Sequence, residues 1–195
     1  MTAGADARLR DALRTYFSDN GFAPDGGYGD PYVKIMLGPV PFLLPNPKAR
    51  RRVLPHHDLH HVATGYPTTL KGEAEIGAWE VATGCERFVV AWGLNLLAMS
   101  YGVLRHPRAV HHAFFRGRAT RNTYRMTLDD ALLERSVQSL RDELGLERPA
   151  PAGQASDTVA FFGWSSLSLV VGTLVILAYA APVVLAVALV RRWLG

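Results

Sequence analysis

Cysteine is almost absent. Cys85 stands alone, which excludes a disulfide framework and a thiolate zinc cluster. Dense positive charge is also missing: 21 Lys and Arg against 17 Asp and Glu leave a net +4, which argues against nucleic acid as a partner. No stretch alternates apolar and polar residues long enough to predict strands. The front of the chain has no apolar signal core. Asp6 to Asn20 is charged and amphipathic, with Leu9, Leu13, Tyr16 and Phe17 at helical spacing, so nothing there directs export. At 195 residues the chain is too short for two ordinary enzyme domains but long enough for one core with an appendage.

What is present reads as helices separated by breakers, so an all-α class is expected. Asp19 to Pro47 is crowded with Gly and Pro (GFAPDGGYGDP, GPVPFLLPNP) and reads as loop, suited to a lid over the helices. Residues 73 to 104 carry apolar side chains all round the helical wheel, which predicts buried helices. Thr127 to Leu144 reads as one helix. Thr127 and Asp130 form its capping pattern, Leu133, Val137, Leu140 and Leu144 its stripe, and Gly145 its stop. No internal repeat is visible.

The composition changes near residue 148. Glu147 to Ser156 (ERPAPAGQAS) reads as a linker, so the chain divides into a helical domain at 1–147, a linker at 148–157 and an apolar segment at 158–195. Residues 158 to 190 hold no charged side chain and lie between Asp157 and the pair Arg191 and Arg192. One membrane span needs roughly 20 apolar residues. The run therefore suits a long tilted helix, or a kinked re-entrant hairpin bent at Pro182. Lys48, Arg50, Arg51 and Arg52 form a basic run that suits an anionic lipid surface, an acidic substrate or simply solvent.

Four of the seven histidines fall in HHDLHH, residues 56 to 61. On a helix, positions i, i+1 and i+4 lie within roughly a 100° arc, so His57, Asp58 and His61 can face one ion. Gly65 and Pro67 break that helix and Gly72 precedes the next, which lets the chain return and offer Glu73. Two imidazoles and two carboxylates suit Zn, Fe or Mn better than a soft copper site. His56 and His60 share the i, i+4 spacing on another face, as alternates or outer donors. The competing reading is a polar helix bearing surface histidines. A phosphohydrolase HD pair would further require an earlier His and a distant Asp, which are not evident.

HDLHH, eleven residues and Glu73 resemble the HDxxHx11E signature of the coenzyme Q (ubiquinone) biosynthesis family formed by the fourth yeast-type component. The surrounding HDLHHVATGYPTTLKGE, the GRAT at Gly117 to Thr120 and LDDALLERSVQSLRDELGL are similar to that family as well, over roughly residues 5 to 147. The resemblance implies an all-α fold with a hydrophobic groove for a polyprenyl lipid. It also implies a divalent metal, zinc foremost with Fe or Mn as alternatives, on His57, Asp58, His61 and Glu73. The implied activity is replacement of the ring carboxyl of a polyprenylated hydroxybenzoate by hydroxyl, with Arg118 a candidate to hold the carboxylate.

The family also serves as a scaffold. Implied partners are therefore the polyprenylated quinone precursor, membrane lipid, other quinone-biosynthesis proteins and further copies of the chain. The expected location is an inner membrane with the metal domain on the cytoplasmic side. The apolar tail departs from the family's ordinary soluble pattern, and a paralogue acting on another isoprenoid would fit the same motif.

Overall fold

A computed structural model describes residues 4–37, 40–148 and 154–194, with side chains left aside at 34–37, 40–44, 182–189 and 194. Among these residues the protein is all-α apart from one hairpin. Its helices are α1 (Leu9–Asp19), α2 (Lys48–Thr64), α3 (Leu70–Thr83), α4 (Val89–Arg105), α5 (Pro107–Arg118), α6 (Asp130–Leu133), α7 (Val137–Leu144) and α8 (Ala155–Leu194).

The core forms where α3 packs against α4 and α5, centred on Trp79, Met99, Val110 and Phe114, with α2 laid across through Leu59 and Ala63. Small residues permit the close crossings, since helices can approach only where side chains leave room. A Cβ on Gly102 would sit 2.5 Å from the Ala74 Cβ.

Two expectations need correction. The segment read wholly as loop contains an antiparallel hairpin, β1 (Tyr32–Leu37) with β2 (Val40–Pro45), paired from Tyr32 opposite Pro45 to Leu37 opposite Val40. Its strands, YVKIML and VPFLLP, are apolar apart from Lys34, so they lack the sustained alternation that marks a strand. Pro41 and Pro45 are tolerated because each strand of a two-stranded ribbon is an edge strand. The expected helix Thr127 to Leu144 is two helices. Asp129, not Thr127, caps α6 by accepting from the Leu132 N–H. Ser136 caps α7, and the break pairs with the N-terminal segment: Leu9 N–H donates to Arg135 O and Val137 N–H to Ala7 O. The apolar stripe carried across the break because both short helices face the same core.

Residues 149–153 of the expected linker lie outside the described residues. α8 begins at Ala155 and stays helical through Pro182, so the apolar tail takes the form of one long helix. Ala155–Ala181 has a mean hydropathy of 2.0 and is long and apolar enough to cross a membrane. Its near half packs on α4 and α5. Trp164 stacks on Trp92 at 5.0 Å, Phe161 sits among His111, Phe114 and Phe115, and Ser168 is fully buried.

Candidate metal centre

α2 and α3 carry the site, and the turn between them sets its geometry. Gly65 ends α2 in the left-handed region at φ 78°, where a Cβ would be strained. Thr69 then caps α3 by accepting from the Gly72 N–H. Gly72 therefore lies in the first turn of α3, not ahead of it as the sequence suggested. A Cβ there would stand 1.9 Å from the Pro67 carbonyl oxygen, so only glycine lets the turn close and bring Glu73 back over α2. Gly72→Ala should cost about 1–3 kcal/mol through this backbone clash and weaken metal binding in parallel. Thermal unfolding and metal titration check both, and an unchanged melting temperature would refute the close-approach argument.

His57, His61 and Glu73 converge. The two Nε2 atoms are 3.1 Å apart, and the Glu73 oxygens lie 3.4 Å from each of them. These three residues form a group able to hold a metal ion. The backs of both rings are fixed. His57 Nδ1–H donates to Glu80 Oε1 at 2.8 Å, and His61 Nδ1–H donates to the Tyr66 carbonyl at 2.8 Å. Because a carboxylate and a carbonyl only accept, both Nδ1 atoms carry the hydrogen. The neutral rings then present two Nε2 lone pairs to each other and to a carboxylate, an arrangement that only a cation or a shared proton can satisfy. Ligating histidines are ordinarily oriented this way by carboxylate or carbonyl partners. The donor set fits a divalent ion, and it leaves the choice among Zn, Fe and Mn open.

Asp58 sits beside this group on different partners. Its Oδ2 accepts from Tyr28 Oη at 2.7 Å, and its Oδ1 has only a long 3.4 Å contact with Tyr16 Oη. Oδ1 is thus the oxygen free to turn toward an ion, while His57, His61 and Glu73 are the residues already gathered. His56 and His60 point inward. His60 Nδ1–H also donates to Glu80 Oε1 at 2.8 Å, and its Nε2 accepts from the Thr123 N–H. His56 meets Thr123 Oγ1 at 2.9 Å. Arg118 is engaged elsewhere, donating to Asp157 at the start of α8 at 2.8 Å.

Sequence reasoning missed Glu80. It is 0 % exposed, and besides the two histidines it accepts from Asn95 Nδ2 at 2.5 Å and from Tyr124 Oη. Its signal was available: Glu80 lies two helical turns after Glu73, inside the otherwise apolar GAWEVAT, and a charge in such a run requires partners. Arg116 was missed too. It donates to the Thr64 carbonyl at 3.0 Å and lies 5.4 Å over the Tyr66 ring, which locks the turn that holds His61.

Electrostatics follow from this crowding. Burial disfavours charging His57, but Glu80 and Glu73 outweigh it and raise its pKa well above the ordinary value. Burial would raise Glu73, yet the His57 and His61 imidazoles beside it hold it at about 2. A metal ion must displace the proton this group retains. Affinity for Zn2+ or Mn2+ should therefore climb by about tenfold per pH unit below the His57 pKa, the signature of one released proton. Competition titrations between about pH 6 and pH 8 check it, and a flat profile would show that no proton is displaced.

The site is accessible from one side. The Glu73 side chain is 37 % exposed. A cavity of about 250 Å³ beside His61 is lined by Tyr16, Asn20, Val62, Tyr66 and Thr68. Tyr16 stacks on the His61 ring at 5.6 Å, forming a wall shared by cavity and metal group. No family model, curated protein or solved structure matches the chain. The likeness to the coenzyme Q family accordingly rests on the motif and its flanking residues.

Proposed function

We propose that this protein is a membrane-attached, metal-dependent enzyme of ubiquinone biosynthesis that replaces the ring carboxyl of a polyprenylated hydroxybenzoate by hydroxyl. The observation that carries the reading is the convergence of His57, His61 and Glu73 with both imidazole backs fixed. The spacing that resembles the family's motif thus also closes as a coordination group. Further support comes from an apolar cleft of about 620 Å³ between the α4–α5 junction and α8, lined by Val103, Pro107, His111, Phe161, Phe162 and Leu169 and suited to a hydrocarbon chain. α8 itself supplies a means of holding the protein where so insoluble a substrate resides.

In this reading His57, His61 and Glu73 hold the ion, with Asp58 Oδ1 adjacent. When bound, the ion would supply Lewis acidity toward a ring carboxylate or phenolate. Glu80 and Tyr66 keep the two imidazoles aimed through every change at the open side. Tyr16, whose hydroxyl makes only a long contact with Asp58, offers it to the polar end of a ligand in the neighbouring cavity, while Tyr28 restrains Asp58.

The test is a mass profile of lipid extracts from the host carrying chromosomal Glu73→Ala, beside wild type and a deletion strain. Loss of quinone with accumulation of a carboxylated prenyl precursor, the variant protein being present in membranes, is the expected result. Normal quinone in Glu73→Ala but not in the deletion strain would replace the enzyme with a metal-independent scaffold that presents intermediates to other proteins. An unchanged profile in both strains would remove the quinone assignment.

A further inference from the structure

The uncharged run from 158 to 190 is longer than one span requires, and the packing of α8 explains the excess. α4 and α8 run parallel. Trp92 meets Trp164, and eight residues further along both helices Ser100 meets Gly172, where a Cβ would lie 2.5 Å from Ser100 Oγ. α5 runs back up the same face, with Phe114 against Phe161 and Arg118 on Asp157. Burial against the domain ends soon after, with Val175 partly buried one turn beyond Gly172. Gly172 is the last buried residue of α8 among the described ones, and Leu174, Ile176, Leu177 and Tyr179 are exposed.

Carried on in the same register, the α4–α5 corner stands within about one helical turn of Gly172, where α8 leaves the domain. It presents Leu104, 71 % exposed, together with the exposed cations Arg105 and Arg108. Beyond this level, Thr173 to Val190 rises about 27 Å at the helical repeat, close to the roughly 30 Å of a bilayer's hydrocarbon core. Arg191, Arg192 and Trp193, the last 86 % exposed, then supply the cationic and aromatic residues typical of an interface.

If the span were instead Ala155–Ala181, Arg108, His112 and the Arg118–Asp157 pair would lie alongside it within hydrocarbon, where charged groups are costly.

We propose that only the distal part of α8, Thr173 to Val190, crosses the bilayer, and that the α4–α5 corner seats the metal domain on anionic phospholipid headgroups through Leu104, Arg105 and Arg108. The inference rests on the membrane attachment in the proposed function and adds depth and orientation to it. Ala74 packs against Gly102, so Glu73 lies within about one helical turn of the headgroup plane. The metal group is thereby held at the surface of the membrane rather than above it.

The full chain, reconstituted in vesicles of phosphatidylcholine with and without phosphatidylglycerol, decides this. Single cysteines at Val159, Phe162 and Tyr179 are treated with an impermeant maleimide. Extents are measured against Arg14→Cys on the domain surface, and the wild type with its buried Cys85 serves as blank. Val159→Cys and Phe162→Cys should react as fully as the reference, and Tyr179→Cys only after detergent. The reverse pattern overturns the proposal while leaving membrane attachment intact. Reaction at all three positions without detergent would remove the span altogether, and with it the membrane part of the proposed function.

A polarity-sensitive dye on Leu104→Cys should shift to the blue when phosphatidylglycerol is included. The shift should be lost in Arg105→Glu/Arg108→Glu, with metal content and tryptophan emission of that variant unchanged. An emission independent of lipid charge and of the two arginines would overturn the seating.

Discussion

Glu80→Ala will destabilise the metal-free protein by about 3–5 kcal/mol, the range for removing one partner from a buried charged network. Four donors meet this carboxylate: His57, His60, Asn95 and Tyr124. His60, Asn95 and Tyr124 are buried with it, so three of the four donors have no water to take its place. Burial alone would raise the carboxyl's pKa, but His57 and His60 outweigh that and hold it well below the ordinary range, so the group is an anion that its neighbours require. Glu80→Gln separates the roles. The amide keeps the volume and one acceptor but loses the charge that orients His57, so the fold should survive while metal affinity falls about 10–100-fold, as for other outer partners of ligating histidines. Denaturant unfolding of the chelated protein and Zn2+ titration measure the two effects. A fully stable Glu80→Ala protein would mean that this network does not organise the core.

How much of this was legible in the sequence depends on where the information resides. α2 and α3 were visible because ligand spacing, Gly65 and Pro67 are local signals. The hairpin at Tyr32 to Pro45 was not, since its strands carry neither alternation nor a turn pattern that outweighs the prolines. The division of Thr127 to Leu144 was also hidden. It depends on Ala7 and Leu9, more than a hundred residues away, pairing with the backbone at Arg135 to Val137. Periodicity reports the face a segment buries, and two short helices can bury the same face as one long one.

The site shows the same division. Spacing brought His57, His61 and Glu73 to one point, as the sequence led one to expect. It could not tell Asp58's surroundings, because Tyr16 and Tyr28 reach it from α1 and from the glycine-rich segment. Nor could it distinguish Arg116 from Arg118. Two residues apart on α5, they differ by about 200° around the helix, so one locks the Tyr66 turn while the other meets Asp157. Side chains that act through tertiary contacts leave little trace in local pattern, and a buried charge such as Glu80 is the exception because its cost demands explanation.

Glu73→Ala should be the complementary variant to Glu80→Ala, with the fold kept and the metal lost. Glu73 is partly exposed and its removal strands no buried donor, since His57 retains Glu80 and His61 retains the Tyr66 carbonyl. Stability of the chelated protein should change little. Affinity for Zn2+ or Mn2+ should nevertheless fall by more than about 100-fold, because outer partners of a site already account for 10–100-fold and a direct ligand must exceed them. Without the carboxylate, two imidazole lone pairs face each other at 3.1 Å with no neighbouring anion to favour a divalent cation between them. Elemental analysis of the purified full chain, alongside its unfolding curve, distinguishes the outcomes. Stoichiometric metal in Glu73→Ala would show that the ion sits on other residues. Loss of metal together with loss of fold would show that the ion is structural, leaving the catalytic reading without its central residue.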